Sequence, residues 1–264
     1  MKKPAFQWYL GIDYSGAATP ETPLSGIRLY QASPATSPKE VRGTRGRGKH
    51  WSRRELAEYL RDHLLNNGPS LVGVDHGFSF PEAYFQKYSL RRDWDHFLDD
   101  WQYHWPTGEP GITVEKVRRG EVGSGFQRTG SARWRRLTEE LVRAKSVFHF
   151  DVPGSVAKST HAGLPWLWYL RRSLEKKVHF WPFDGWTVPE GCSVISEVYP
   201  SLWKGDFGAE ARTPDQQDAL AVASWLRETD RAGQMGAAFQ PRMSTDEKEL
   251  AKFEGWILGV CPAQ

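Results

Sequence analysis

The stretch Trp8–Asp13, WYLGID, is a short apolar run that ends on an acid and leads into Ser15-Gly16. A run of this length bounded by turn residues reads as a buried strand followed by a tight turn. Residues 71–75, LVGVD, repeat the pattern, with Asp75 at the end and Gly77 just beyond. Between the two lie a second strand candidate at 24–32 (LSGIRLYQA) and a weaker segment at 40–50 (EVRGTRGRGKH), either a third strand or a basic loop. Ser52 then opens a helix. Ser52-x-x-Glu55 is a capping box, in which each side chain satisfies a backbone N–H of the first turn. Leu56, Tyr59, Leu60, His63 and Leu64 form the apolar stripe of that helix. If the strand ending at Asp75 runs parallel to the one ending at Asp13, both acids meet at one sheet edge, where α/β sheets carry their sites.

A long stretch at 78–191 follows, with helix candidates at 94–103, 131–144 and 164–174 joined by Gly- and Pro-rich loops. We read it as an insertion into one domain spanning 1–264, because core elements resume after it. These are a strand at 194–198 (VISEV), which carries Glu197, and a helix at 214–229. A terminal unit at 244–260 reads as a helix plus a short apolar segment.

The helix at 214–229 says most about chemistry. Thr213 caps it, Pro214 suits the first helical position, and Gln216 completes a capping box. Ala219, Val222, Ala223 and Leu226 form its buried face. Asp215 and Asp218 precede Ala219 and Val222 by one turn, so they extend that face toward the helix start. Small Ala219 and Ala223 let the helix lie close to a sheet. Four of the five acids also have a plainer explanation, and Asp218 is the one that does not. Asp13 and Asp75 serve as turn formers, Glu197 as an edge-strand charge, and Asp215 as a first-turn acid favoured by the helix dipole. The joint pattern carries the functional reading. Clustered carboxylates repel and need a compensating charge, which Mg²⁺ or Mn²⁺ supplies as a hard, oxygen-preferring ion. Two such ions about 3.5–4 Å apart stabilise both the attacking water and the leaving oxygen of a phosphodiester. Asp13 is the candidate bridge between them.

The order of strands and helix matches the opening of the ribonuclease H fold. The motifs GIDYSGA (11–17), VGVDHGFSFP (72–81), SEVYPSLW (196–203), DQQDALAVASWL (215–226) and EGWILGV (254–260) resemble a large prokaryotic family, domain-of-unknown-function family 429. Its members are predicted ribonuclease H-like nucleases. The resemblance implies an α/β fold: a ribonuclease H-like mixed sheet flanked by helices, with a large helical and loop insertion. It implies Asp13, Asp75, Glu197 and Asp218 as catalytic acids and the same four with Asp215 as ligands of Mg or Mn. The D-x-x-D-A-L-A-x-A pattern is also similar to the last helix of Holliday-junction resolvases. The helix-borne glutamate of ribonuclease H itself has only loose counterparts, Glu55 or Glu58.

Lys and Arg number 35 against 32 Asp and Glu, a balance that permits a nucleic-acid partner, DNA or RNA, without demanding one. Basic residues concentrate at 42–54 and 118–136, where arginines lie among glycines and aromatics. Both segments are either phosphate-gripping, base-stacking surfaces or solvated loops. Arg128 and Arg133 are the candidate substrate contacts in the second. GSVAKST at 154–160 fails the Walker pattern, yet Lys158, Ser159 and Thr160 remain candidates for a substrate phosphate. His76 beside Asp75 is read as structural, with proton transfer as the alternative. His76, His149 and His161 lack metal-ligand spacing, and the aromatic run Trp166, Trp168 and Tyr169 is read as core. Two cysteines form no disulfide framework and no CxxC site, which fits a reducing cytoplasm. The opening Met1-Lys2-Lys3 is followed by too short an apolar run for a signal peptide, and no stretch approaches a membrane span. The leading expectation is a metal-dependent nuclease. The alternatives are an actin-like-fold phosphotransferase using ATP and a non-catalytic nucleic-acid-binding protein.

Overall fold

Alternation along the strands decides how the layers form. In β1 (Trp8–Asp13), Leu10 and Ile12 enter one apolar cluster while Tyr9 enters another on the opposite face. β4 (Ser70–Asp75) divides the same way, with Val72 and Val74 on the first face and Leu71 on the second. Strands buried on both faces need a helical layer on each side. The computed structural model describes residues 5–44, 48–203, 205–208 and 211–262. Met1–Lys3 and Arg45–Arg47 of the basic segment lie outside the described residues.

The elements run β1, β2 (Arg28–Ser33), β3 (Thr36–Val41), α1 (Arg53–Asn66), β4, α2 (Glu82–Lys87), α3 (Trp94–His104), α4 (Val114–Arg118), α5 (Leu137–Leu141) and α6 (Ala157–Leu174). Then come β5 (Val178–Trp181), β6 (Ser193–Glu197), α7 (Pro214–Arg231), α8 (Met235–Ala238) and α9 (Thr245–Glu254). The protein is α/β, with a mixed sheet of order β3-β2-β1-β4-β6-β5 flanked by helices. β1 pairs antiparallel with β2, and β2 with β3, whereas β1, β4, β6 and β5 are mutually parallel. No described helix is long and apolar enough to cross a membrane.

α1 and α3 pack against α6 on one side of the sheet, and α7 lies across β1 and β2 on the other. The contact between α7 and β1 depends on Gly11. A Cβ there would sit 2.3 Å from the Ala219 carbonyl oxygen and 2.4 Å from the Ala223 nitrogen. The small faces of strand and helix are therefore matched, as the alanines of α7 suggested. Thr213 and Gln216 form the expected reciprocal cap at the start of α7.

Four local expectations are corrected. β3 begins at Thr36, before the expected 40–50, because Ser33 and Thr36 exchange side-chain hydrogen bonds in a tight hairpin. The helix expected at 131–144 is only Leu137–Leu141, closed by Arg143 in the left-handed region. The helix expected from 164 starts at Ala157 and runs through Pro165. Proline cannot donate to the His161 carbonyl one turn back, and the Thr107 hydroxyl donates to that oxygen at 2.7 Å instead. Finally, the stretch 78–191 contributes β5 to the sheet and α6 to a flanking layer, so it is not wholly peripheral.

Candidate functional site

Asp13 and Asp75 are register partners at the carboxyl ends of parallel β1 and β4. The turn after β1 is fixed from behind by Arg53, which is fully buried. Its guanidinium donates to the carbonyls of Ser15, Ala17 and Ala18. Gly16 packs against the backbone of Lys158 and Ser159, placing the turn on the first residues of α6. From the other face, α7 brings Asp215 and Asp218 toward the same edge. The Asp215 carboxylate lies against the Ser15 and Gly26 turns, 3.7 Å from where a Cβ on Gly26 would stand.

The electrostatics of Asp13 record this crowding. Burial, followed by the charges of Asp75, Asp215 and Asp218, pushes its carboxyl up to about 9, opposed by Arg28. Arg28 stands opposite Asp13 across the β1–β2 pair, but its charge is shared with Glu40 at 3.0 Å. Asp13 therefore holds its proton at neutral pH unless a further cation arrives. The donor set is entirely carboxylate, which fits a hard divalent ion. Among the described residues, however, no three His, Cys, Asp or Glu side chains converge tightly enough to hold one ion as they stand.

Glu197 does not join this group in the way expected. Its carboxylate is held by Arg136, with Nη2 to Oε1 at 2.5 Å and Nη1 to Oε2 at 2.7 Å. The Phe78 N–H adds a third hydrogen bond at 3.0 Å. Arg136 also donates through Nε to Glu139 at 2.9 Å, and all three side chains are buried. The glutamates hold the guanidinium firmly charged, outweighing its burial. Glu254 sits at the margin, accepting from the N–H groups of Glu82 and Leu137, and burial pushes it up to about 7. Glu197 is thus a buried, compensated charge, and its counter-ion is Arg136, from the segment 118–136 read as either a phosphate-gripping surface or a solvated loop.

The expected substrate contacts separate in the same way. Thr160 is buried and accepts the Gly77 N–H at 2.9 Å, fixing the turn after Asp75. The Ser159 hydroxyl donates back to the Val156 carbonyl. Lys158 pairs with Glu115 at 3.0 Å and Asp151 at 3.5 Å. Arg128 pairs with Asp100 at 2.8 Å and stacks on Tyr88, while Arg133 is exposed. His76 is buried among Tyr14, Phe78 and Gly163, and burial lowers it to about 4, so it stays neutral. His161 is likewise a core residue, ringed by Phe80, Trp101, Trp105 and Phe150. Glu55 caps nothing in return. Its carboxylate instead accepts from the Thr44 N–H and hydroxyl, so the Ser52 box is half formed. Reading the sequence missed Arg53 and Arg136 as buried organisers, because each sits in a basic run that reads as exposed.

No family model, no curated protein and no solved structure matches the chain.

Proposed function

We propose that the protein is a metal-dependent nuclease of the ribonuclease H-like kind, hydrolysing phosphodiester bonds at the edge formed by Asp13 and Asp75. The single observation that carries this reading is the placement of Asp13 beside Asp75 at the carboxyl ends of parallel β1 and β4, with Asp215 and Asp218 close enough to help push the Asp13 carboxyl up. Clustered carboxylates of this kind are relieved by a bound divalent cation, which supports the reading. The strand order β3-β2-β1-β4, with β4 parallel to β1, supports the fold assignment, as does the family resemblance of the motifs around the acids. Asp13, Asp75 and Asp218, with Asp215 beside them, would hold Mg²⁺ or Mn²⁺. Such an ion, when bound, supplies a Lewis acid and an activated water. The chain's own contribution is to fix the acids on rigid strand ends and on a capped helix. Arg53 and Thr160 hold the two adjoining turns in place. No protein nucleophile is required. Glu197 is left out of the ligand set because Arg136 occupies it. The two cysteines are free thiols, in keeping with action in a reducing cytoplasm.

The test is incubation of purified protein with DNA, RNA and branched junctions in Mn²⁺ or Mg²⁺. We expect cleavage of at least one substrate and its loss in Asp13→Asn. No cleavage of any substrate, or cleavage undiminished by Asp13→Asn, would sink the reading. Binding without turnover would select the non-catalytic alternative.

A further inference from the structure

A cavity of about 150 Å³ adjoins the carboxyl end of β4. It is lined by Asp75, by the buried Arg136, Glu139 and Glu197, and by Arg143 and Lys145 from the segment after α5. The positive charge of Arg136 is consumed by its two glutamates. Those of Arg143 and Lys145 are not. Arg143 is exposed and has no acidic partner among the described residues. Among the described residues the Lys145 ammonium donates only to the Pro153 carbonyl, in space that Gly154 leaves open.

The backbone of Arg143 is the second observation. Its φ is 55°, and it closes α5 in a Schellman arrangement, with its N–H on Glu140 and the Ala144 N–H on Glu139. Glycine is the ordinary residue at that position, because a side chain there is strained. An arginine kept in a strained conformation, with its charge unspent beside a carboxylate edge, points to a role outside folding. Meanwhile most of the cations named from sequence are already engaged, Arg133 excepted, which is exposed but does not line this cavity. Arg118 pairs with Glu115 and Asp151, Arg128 with Asp100, Arg136 with Glu197, and Lys158 with Glu115.

We propose that Arg143 and Lys145 form the phosphate grip of this site, holding a backbone phosphate of a nucleic-acid strand next to the bond presented at Asp13 and Asp75. The proposal rests on the nuclease reading for the identity of its ligand. Arginine supplies a planar fork for phosphate oxygens, and lysine a point charge.

The test is fluorescence anisotropy in EDTA with short labelled single-stranded DNA, duplex DNA and single-stranded RNA. Arg143→Gly should leave the melting temperature unchanged or raise it, since glycine relieves the strained turn. It should nonetheless weaken binding of the preferred probe by about tenfold and lower the salt-dependence slope by about 1. Lys145→Gln should act on binding in the same way, and it keeps the test open if Arg143→Gly folds poorly. Lys176→Gln, at the opposite, amino-terminal end of the parallel strands, should change neither affinity nor slope. Wild-type affinity and slope in both Arg143→Gly and Lys145→Gln would overturn the proposal and leave the nuclease reading standing. Failure of the wild type to bind any probe would overturn the grip and the nucleic-acid half of that reading together.

Discussion

Two neighbouring strand ends carry acids that look alike in sequence and behave oppositely in the fold. At the ends of β1 and β4, Asp13 and Asp75 stand side by side with Asp215 and Asp218 close by, and Asp13 is driven to hold its proton. At the end of β6, Glu197 meets a buried bidentate arginine and a backbone N–H. Position at a sheet edge therefore does not make an acid a ligand. What matters is whether the fold supplies a counter-charge of its own. At Glu197 a buried arginine makes the acid part of the structure; at Asp13 the burial and three neighbouring aspartates outweigh Arg28, and it is there that a divalent cation is proposed to bind.

The largest expected effect lies on the compensated side. Arg136→Met removes the counter-ion of Glu197 and Glu139 and leaves both buried, so it should destabilise the protein by about 3–5 kcal/mol. Chemical denaturation measures this directly, and a loss below about 1 kcal/mol would erase the contrast between the two edges. The next effect has the opposite sign. Asp13→Asn removes a crowded carboxyl and should stabilise the metal-free protein at pH 8 by about 1–3 kcal/mol, roughly 3–8 °C in melting temperature. The sign follows from linkage. The folded carboxyl titrates near 9 and the unfolded one near 3.8, so the folded state binds the extra proton between those values. Stability of the metal-free protein then falls as pH rises through that window, and Asp13→Asn should flatten the fall. A steeper fall in Asp13→Asn would contradict the assignment. The smallest effect concerns the helix that carries the remaining aspartates. Thr213→Ala loses the α7 cap and should cost about 1 kcal/mol in thermal melts. It should also weaken Mn²⁺ binding while leaving the Arg136–Glu197 network in place.

Much of the β1–β4 edge was legible in the sequence, because its signals are local. WYLGID and LVGVD each show a strand and its terminal acid within six residues or fewer. The Thr213 and Gln216 cap fixes where α7 starts, and thus which face Asp215 and Asp218 share. The compensated edge was not legible. VISEV presents the same strand-then-acid pattern, but the partner that decides its role is 61 residues upstream, inside a run of arginines that reads as exposed. Arg53 hides for the same reason: its burial depends on carbonyls more than thirty residues earlier in the chain. β5 spans four residues, too few for a period to show against the helices around it. Pro165 reads as a helix start because the hydroxyl that rescues the freed carbonyl comes from Thr107, far away in sequence.

The most direct test of the central claim is calorimetric titration of Mn²⁺ into metal-free wild type and Asp13→Asn at pH 7, in two buffers of different ionisation enthalpy. If the β1–β4 edge is a cation site whose key ligand is protonated when empty, the wild type binds Mn²⁺ with release of about one proton, and Asp13→Asn binds at least about tenfold more weakly without that release. No binding by the wild type, or equal affinity and equal proton release in Asp13→Asn, would contradict it.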